Sequence, residues 1–250
     1  MTTSTAMHNK LRWTAAALAL LLAACAAPPS EPTPLRLGIQ VWPGYFPAIL
    51  AEQQGLMAEH GVALDWMPVD DTKTLIAGFA AGRYDLITVS LGDAIVLRRS
   101  RPDVLLLLLA NESSGGDQLL RAPGLAADAP GPWRYGTSLG GFGELFIQAW
   151  LNQQGIDPRQ VIWADINAAE MPAALREGRV DYGHTWQPFV NQAVADGATP
   201  VFTSAQTPGL IVDVVLTSRA VQERHPEALR GFAQAWCIAA QRWRAEPAAG

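Results

Sequence analysis

Cysteine is nearly absent from this 250-residue chain: only Cys25 and Cys237 occur. That is too few for a disulfide framework or a thiolate zinc site. Cys237 lies in GFAQAWCIAAQRW, where the spacing predicts a buried helix face. Lysine is as scarce, with Lys10 and Lys73 alone. The four histidines, His8, His60, His184 and His225, are scattered without metal-ligand spacing. Basic runs are missing too: 18 Lys and Arg stand against 23 Asp and Glu, which leaves no electrostatic footprint for nucleic acid. No Gly-Lys-Ser/Thr follows any glycine-rich loop, so there is no Walker A site. G-x-S-x-G is absent, and Asp165 and His184 face no Ser in an elbow that would complete a triad. No internal sequence repeat stands out.

The N-terminus is the most informative segment that is present. MTTSTAMHNKLRWTAAALALLLAAC has a basic start (Lys10, Arg12), an apolar run from Trp13 and small residues before Cys25. This is the pattern of a secretion signal over residues 1–24, and its apolar run is short for a membrane span. Leu22-Ala23-Ala24-Cys25 resembles the lipobox of bacterial lipoproteins, which implies cleavage before Cys25 and lipidation of that residue. The Pro-rich stretch that follows predicts a tether over residues 25–34. Removing 1–24 takes away two basic residues and no acidic one, moving the net charge from −5 to −7. With 49% hydrophobic residues and a mean hydropathy of +0.09, the remainder is globular, large enough for one big domain or two lobes.

From Leu35 onward, short apolar runs alternate with helical patterns. LRLGIQV, VALDWMPV, DLITV, DVLLLLLA and DQLLRA read as strands in the first half. WRYGTS, VIWADI, VDYGHT, PVFTS and IVDVVLTS read as strands in the second. Helices are predicted between them: Pro47 to Gln54 before Gly55, TKTLIAGFAA capped by Asp71, DAIVLRRS, GELFIQAWLNQQ before Gly155, AAEMPAALRE, QPFVNQAVAD, and a long closing helix from Glu227. This rhythm predicts an α/β fold with mainly parallel sheets flanked by helices. VLLLLLA reads as a strand buried on both faces.

In such sheets ligands bind beyond the strand C-termini, where loops leave amide N–H groups free. Those loops are rich in recognition chemistry here. They contribute Trp42 and Tyr45 from WPGY, Ser90 and Asp93 from TVSLGD, and Asn111, Ser114 and Asp117 from NESSGGD. Thr137, Ser138, Gly140 and Phe142 come from GTSLGGFG, and Trp186 from HTWQPF. Asp213 sits at the start of the last strand. His184 alone reads as a hydrogen-bonded structural residue. Together the aromatics and carboxylates suit a flat, nitrogen-bearing solute, while GTSLGGFG suits an anion such as a sulfonate.

These segments, in order from LRLGI and WPGY through AEQQGLMAEHGVAL, AAGRYDLITVSLGDAI, GTSLGGFG, DYGHTWQPF and SAQTPG, resemble the SsuA/THI5-like (NMT1/THI5-like) substrate-binding proteins of ABC importers, the nitrate, sulfonate, taurine and thiamine-precursor group. The resemblance implies a two-lobed periplasmic-binding-protein fold, with lobe 1 spanning 35–114 and 214–250 and lobe 2 spanning 115–213. Chain crossings are expected near Ser114–Gln118 and Val212–Leu216. It further implies a lipid-anchored monomer outside the cytoplasm, without a cofactor, that delivers a small solute to an ABC permease. A ligand sensor for a signalling partner would have the same fold. A pyrimidine-synthase-like enzyme is disfavoured, because that chemistry uses a Cys-rich segment and this chain has none. Two departures stand out. The group usually has Trp-Glu-Pro where this chain has Trp186-Gln187-Pro188, and further helix is expected after the match to EALRGFAQAW, so with the sequence ending at Gly250 a shortened first lobe is expected.

Overall fold

The structure, a computed structural model, describes residues 31–245. The expected signal peptide, the expected lipidation site at Cys25 and most of the expected tether lie outside those residues, whereas Thr33 and Pro34 already belong to the first strand.

The first half runs β1 (Thr33–Ile39), a 3₁₀ turn at Pro43–Tyr45, α1 (Phe46–Gln53), α2 (Leu56–Glu59), β2 (Val62–Pro68), α3 (Thr72–Ala80), β3 (Leu86–Ser90), α4 (Leu91–Ser100) and β4 (Val104–Glu112). The second half contains β5 (Asp117–Arg121), β6 (Trp133–Thr137), α5 (Phe142–Gln154), β7 (Val161–Asp165), α6 (Met171–Arg176), β8 (Tyr182–Trp186), α7 (Phe189–Ala195) and β9 (Thr199–Thr203). The chain then returns through β10 (Val212–Ser218), α8 (Arg219–Arg224) and α9 (Pro226–Ala245). Local chemistry accounts for several boundaries. The Asp71 carboxylate accepts the Thr74 N–H at 2.7 Å and caps α3. Gly155 ends α5 in the left-handed region, at φ 65°, which a residue with a Cβ adopts only with strain.

The strands form two five-stranded sheets, ordered β2-β1-β3-β10-β4 and β7-β6-β8-β5-β9. Both are mixed but mainly parallel, as the sequence predicts: four strands of each run one way and one runs against them. β10 runs antiparallel to β3 and β4, and β5 runs antiparallel to β8 and β9. The cause is the connection. A strand reached through a crossover helix begins at the far end of its sheet, whereas β5 and β10 are entered directly from the other half and begin at the near end. The two passages, residues 113–116 and 204–211, are tied together: Ser113 N–H donates to the Ile211 carbonyl at 2.9 Å, and the Ser113 and Ser204 hydroxyls share a 2.9 Å hydrogen bond.

Each sheet carries a core on both faces. In the first, Leu35, Leu37, Phe232 and Trp236 pack on one side, and Leu75, Ile87, Val89 and Val214 on the other. In the second, Met171, Leu175 and Val190 lie opposite Tyr135, Phe146 and Leu151. Two readings are overturned. β4 is an edge strand with Leu106 and Leu109 48% and 66% exposed, not a doubly buried one. Cys237 is exposed, because the buried stripe of α9 runs through Phe232, Ala235, Trp236 and Ala239, and the next residue points away.

The halves also share a clamp. Arg36 in β1 gives its N–H and both guanidinium edges to Asp85, at 2.9–3.0 Å. Arg134 in β6 does the same to Asp181, at 2.7–3.0 Å. The segments Arg36-Leu37-Gly38 with Gly82-Arg83-Tyr84-Asp85 therefore correspond to Arg134-Tyr135-Gly136 with Gly178-Arg179-Val180-Asp181. This is a repeat that the sequence reading missed.

Candidate functional site

The C-terminal ends of β1, β3, β6 and β8 and the N-terminal ends of the reversed strands β5 and β10 converge on one cleft. Register makes the two sheets analogous there: Ser90 at the end of β3 pairs with Asp213, and Trp186 at the end of β8 pairs with Asp117. Each reversed strand thus opens with a carboxylate at the cleft.

Two small cavities lie in this cleft, with Phe142 and Trp186 lining both. One, of about 60 Å³, is bounded by Lys73 and Asp93 from the first half and by Thr137, Ser138, Gly140 and His184 from the second. The other, of about 20 Å³, is bounded by Gln40, Trp42, Tyr45 and Ser90 with Asp117 and Asp213. The Phe142 and Trp186 rings sit 6.1 Å apart at 34°. A larger apolar groove of about 390 Å³ lies elsewhere, between Ile95 on α4 and Leu106 on β4, away from the strand ends that form the cleft.

Among the described residues, the buried carboxylates of the cleft outnumber its one lining cation, Lys73. Asp93, Asp117 and Asp213 are all buried. Burial pushes the Asp213 carboxyl up to about 7, with the Asp117 charge adding to it and the hydrogen bond from Tyr45 opposing it. Burial also raises Asp93, against the Ser90 hydroxyl and the Phe142 N–H. The Tyr45 hydroxyl donates to Asp213 Oδ1 at 2.9 Å, and burial followed by the Asp213 charge raises its own pKa well above the ordinary value. Lys73 lines the larger cavity, but its ammonium is engaged 2.5 Å from Asp165 on the opposite half.

The glycine-rich loop serves the protein's own contacts. Leu139 N–H donates to Asp165 Oδ1 at 3.0 Å and Gly140 N–H to Glu144 Oε1 at 2.5 Å. Gly143 lets α5 approach β6: a Cβ there would stand 2.0 Å from Thr137 Oγ1 and 2.9 Å from His184 Nδ1.

Of the residues singled out from sequence, eleven line a cavity: Trp42, Tyr45, Ser90, Asp93, Asp117, Thr137, Ser138, Gly140, Phe142, Trp186 and Asp213. Asn111 lines neither. It accepts the Trp42 Nε1–H at 3.2 Å and donates to the Gly44 carbonyl at 3.2 Å, so it positions the aromatic loop. Ser114 is exposed, and its neighbour Ser113 is the buried one. Sequence reasoning missed Gln40, Thr72, Lys73 and Ile211 as lining residues. Gln40 directly follows β1 and gives its amide N–H to Thr72 Oγ1 at 2.9 Å, so its place at a strand exit was a usable signal.

Two halves, each a mixed sheet between helices, joined by paired passages and facing each other across a cleft, define the periplasmic-binding-protein fold. The profile of the NMT1-like family matches residues 28–249, and the chain belongs to that family. It is 24% identical over 208 residues to the taurine-binding periplasmic protein of Escherichia coli K12, covering 80% of this chain and 64% of that one. The chain therefore spans less than two thirds of that relative's length. Among solved structures, the alkanesulfonate-binding protein SsuA from Xanthomonas axonopodis pv. citri, bound to MOPS, superposes with a TM-score of 0.76 at 19% identity, over 88% of this chain and 78% of that one. The periplasmic nitrate-binding protein NrtA from Synechocystis PCC 6803 superposes with a TM-score of 0.71 at 18% identity, over 85% and 62%.

Proposed function

We propose that this protein is the extracytoplasmic solute-binding component of an ABC importer and captures a small amine-bearing solute between its lobes. Lobe 1 comprises 35–114 and 214–250, and lobe 2 comprises 115–213, hinged at the paired passages. The protein binds without chemistry, is held to the membrane through Cys25, and hands its ligand to a permease. The family match and the relatives' printed functions support a solute receptor. One observation supports the amine: three buried carboxylates line the cleft, while two of the loop N–H groups that could hold an anion, those of Leu139 and Gly140, are engaged by Asp165 and Glu144. A protonated amine would neutralise charge that burial otherwise makes costly. The Trp42, Phe142 and Trp186 rings offer stacking surface to a flat ligand body. Taurine, the ligand in the name of the Escherichia coli relative, itself carries an ammonium group.

A thermal-shift panel of primary amines, aminopyrimidines, taurine, alkanesulfonates and nitrate tests this. A ligand at 100 times its Kd stabilises by about 2.7 kcal/mol, a shift of several degrees. Amine-bearing compounds are expected to shift the melt and simple alkanesulfonates not to. The reverse order would refute the amine assignment.

A further inference from the structure

Between the two cavities runs a chain of buried polar groups. His184 is 2% exposed and caged by Phe142, Phe146 and Trp186. Its Nε2 lies 3.1 Å from Asp117 Oδ1, and its Nδ1 lies 3.3 Å from Thr137 Oγ1. Asp117 lines the smaller cavity, and Thr137 and His184 line the larger one. The ring therefore joins a carboxylate in one compartment to a hydroxyl in the other.

The polarity of this chain follows from what each group can do. An ionised carboxylate only accepts, so Nε2 must carry the proton and donate to Asp117. A ring with its proton on Nε2 has a bare Nδ1, which accepts, so the Thr137 hydroxyl must donate its single hydrogen to His184. Thr137 is then left with lone pairs alone for the larger cavity. It meets a ligand as an acceptor, on the same side as the Asp93 carboxylate, and has no hydrogen to offer an anion.

We infer that His184 is a positioning residue for specificity: held in its Nε2–H tautomer by Asp117, it fixes Thr137 as an acceptor and so turns the larger cavity toward ligand N–H donors and against sulfonate-like oxygens. This inference rests on the amine-receptor reading above for the identity of the selected ligand, but the tautomer itself does not. Asp117→Asn can reverse the whole chain, because an amide offers N–H as well as oxygen. With the NH2 turned to Nε2, the ring proton moves to Nδ1, Nδ1–H donates to Thr137 Oγ1, and the freed hydroxyl hydrogen turns into the cavity.

The first measurement is the imidazole nitrogen shift pattern of the ¹⁵N-labelled protein, with the His184 signals assigned by their loss in His184→Asn. The Nε2–H pattern is expected in the wild type and the Nδ1–H pattern in Asp117→Asn. A wild-type ring protonated on Nδ1, or on both nitrogens, overturns the inference whatever the ligand is. The second measurement compares taurine, a primary amine and an alkanesulfonate by calorimetry. Asp117→Asn is expected to shift the sulfonate-to-amine affinity ratio by about tenfold or more toward sulfonate, as one gained and one lost hydrogen bond would. The added Thr137→Val change should cancel the sulfonate gain. A folded Asp117→Asn protein that shows the Nδ1–H pattern and merely loses amine binding, with no gain for sulfonate, overturns the relay. A wild type that binds none of the panel refutes the amine-receptor reading separately, and the tautomer measurement then decides the relay alone.

Discussion

Trp186, at the end of β8, donates its indole Nε1–H to the Val41 carbonyl, 3.3 Å away at the exit of β1. The bond joins the two lobes directly, beside the ring that lines both cavities. A residue read from sequence as a stacking surface is therefore also a strut across the cleft. Trp186→Phe keeps an aromatic face toward Phe142 and removes only the donor. One lost hydrogen bond, worth about 0.5–1.5 kcal/mol, should shift the open–closed balance toward open by roughly 2- to 10-fold. Small-angle scattering of the unliganded variant should show the larger radius of gyration.

Asp213 makes stability depend on pH in the direction opposite to an ordinary paired acid. Its folded-state pKa, about 7, lies above the unfolded carboxylate value, so between these values the native state binds more protons than the unfolded chain. Stability from this group is fully present at low pH and is lost as pH rises through about 7. Asp213→Asn should keep an acceptor for the Tyr45 hydroxyl and flatten the fall in melting temperature between pH 5 and pH 8. Amine affinity should move the other way in the wild type, tightening as Asp213 ionises, and calorimetric titrations at pH 6 and pH 8 would show it.

The Lys73–Asp165 pair also spans the cleft, but both side chains are about half exposed. Exposed pairs contribute roughly 0.2–1 kcal/mol. Lys73→Ala should therefore open the cleft by no more than about fivefold, with an effect that fades between 50 mM and 500 mM salt as screening shortens the reach of charge. A fluorescence pair placed on the two lobes would measure both.

Asp181 holds the second lobe as Asp85 holds the first. Its pKa is lowered, chiefly by the Arg134 guanidinium and against a smaller desolvation effect. The stability it supplies is present above the ordinary carboxylate range and lost as pH falls through the folded value. Asp181→Asn breaks the two-pronged pairing and should cost about 1.5–3 kcal/mol at pH 7, read from the urea midpoint. The gap to wild type should close under acid conditions.

Most elements were legible because their signals are local. Asp71 before a helical pattern and Gly55 and Gly155 after one each depend on a few neighbouring residues. Strand direction is not local. Nothing in IVDVVLTS distinguishes a parallel from an antiparallel neighbour, because the side-chain pattern is the same in both. VLLLLLA was misread for a related reason, since apolar content does not say whether a second strand lies alongside. Within the site, the aromatic and acidic residues at strand ends were found by position. The glycines of GTSLGGFG were not understood, because their reason is the approach of Asp93, Thr137 and His184 from distant parts of the chain. Lys73 was noted only for its rarity, since its partner Asp165 is far away in sequence.

The insertion of β10 between β3 and β4 has a consequence for how the protein is made. The five strands of the second sheet all lie within residues 117–203, so that lobe has every strand it needs as soon as this stretch has left the ribosome. The first sheet has a gap beside its edge strand β4 until residues 212–218 emerge, and β3 and β4 wait without the neighbour that joins them. Pulse-labelled amide exchange during refolding should accordingly protect the second sheet before β3 and β4, because long-range pairing is slower to form than pairing within one continuous stretch. The lobe that is synthesised first is thus the last to be completed.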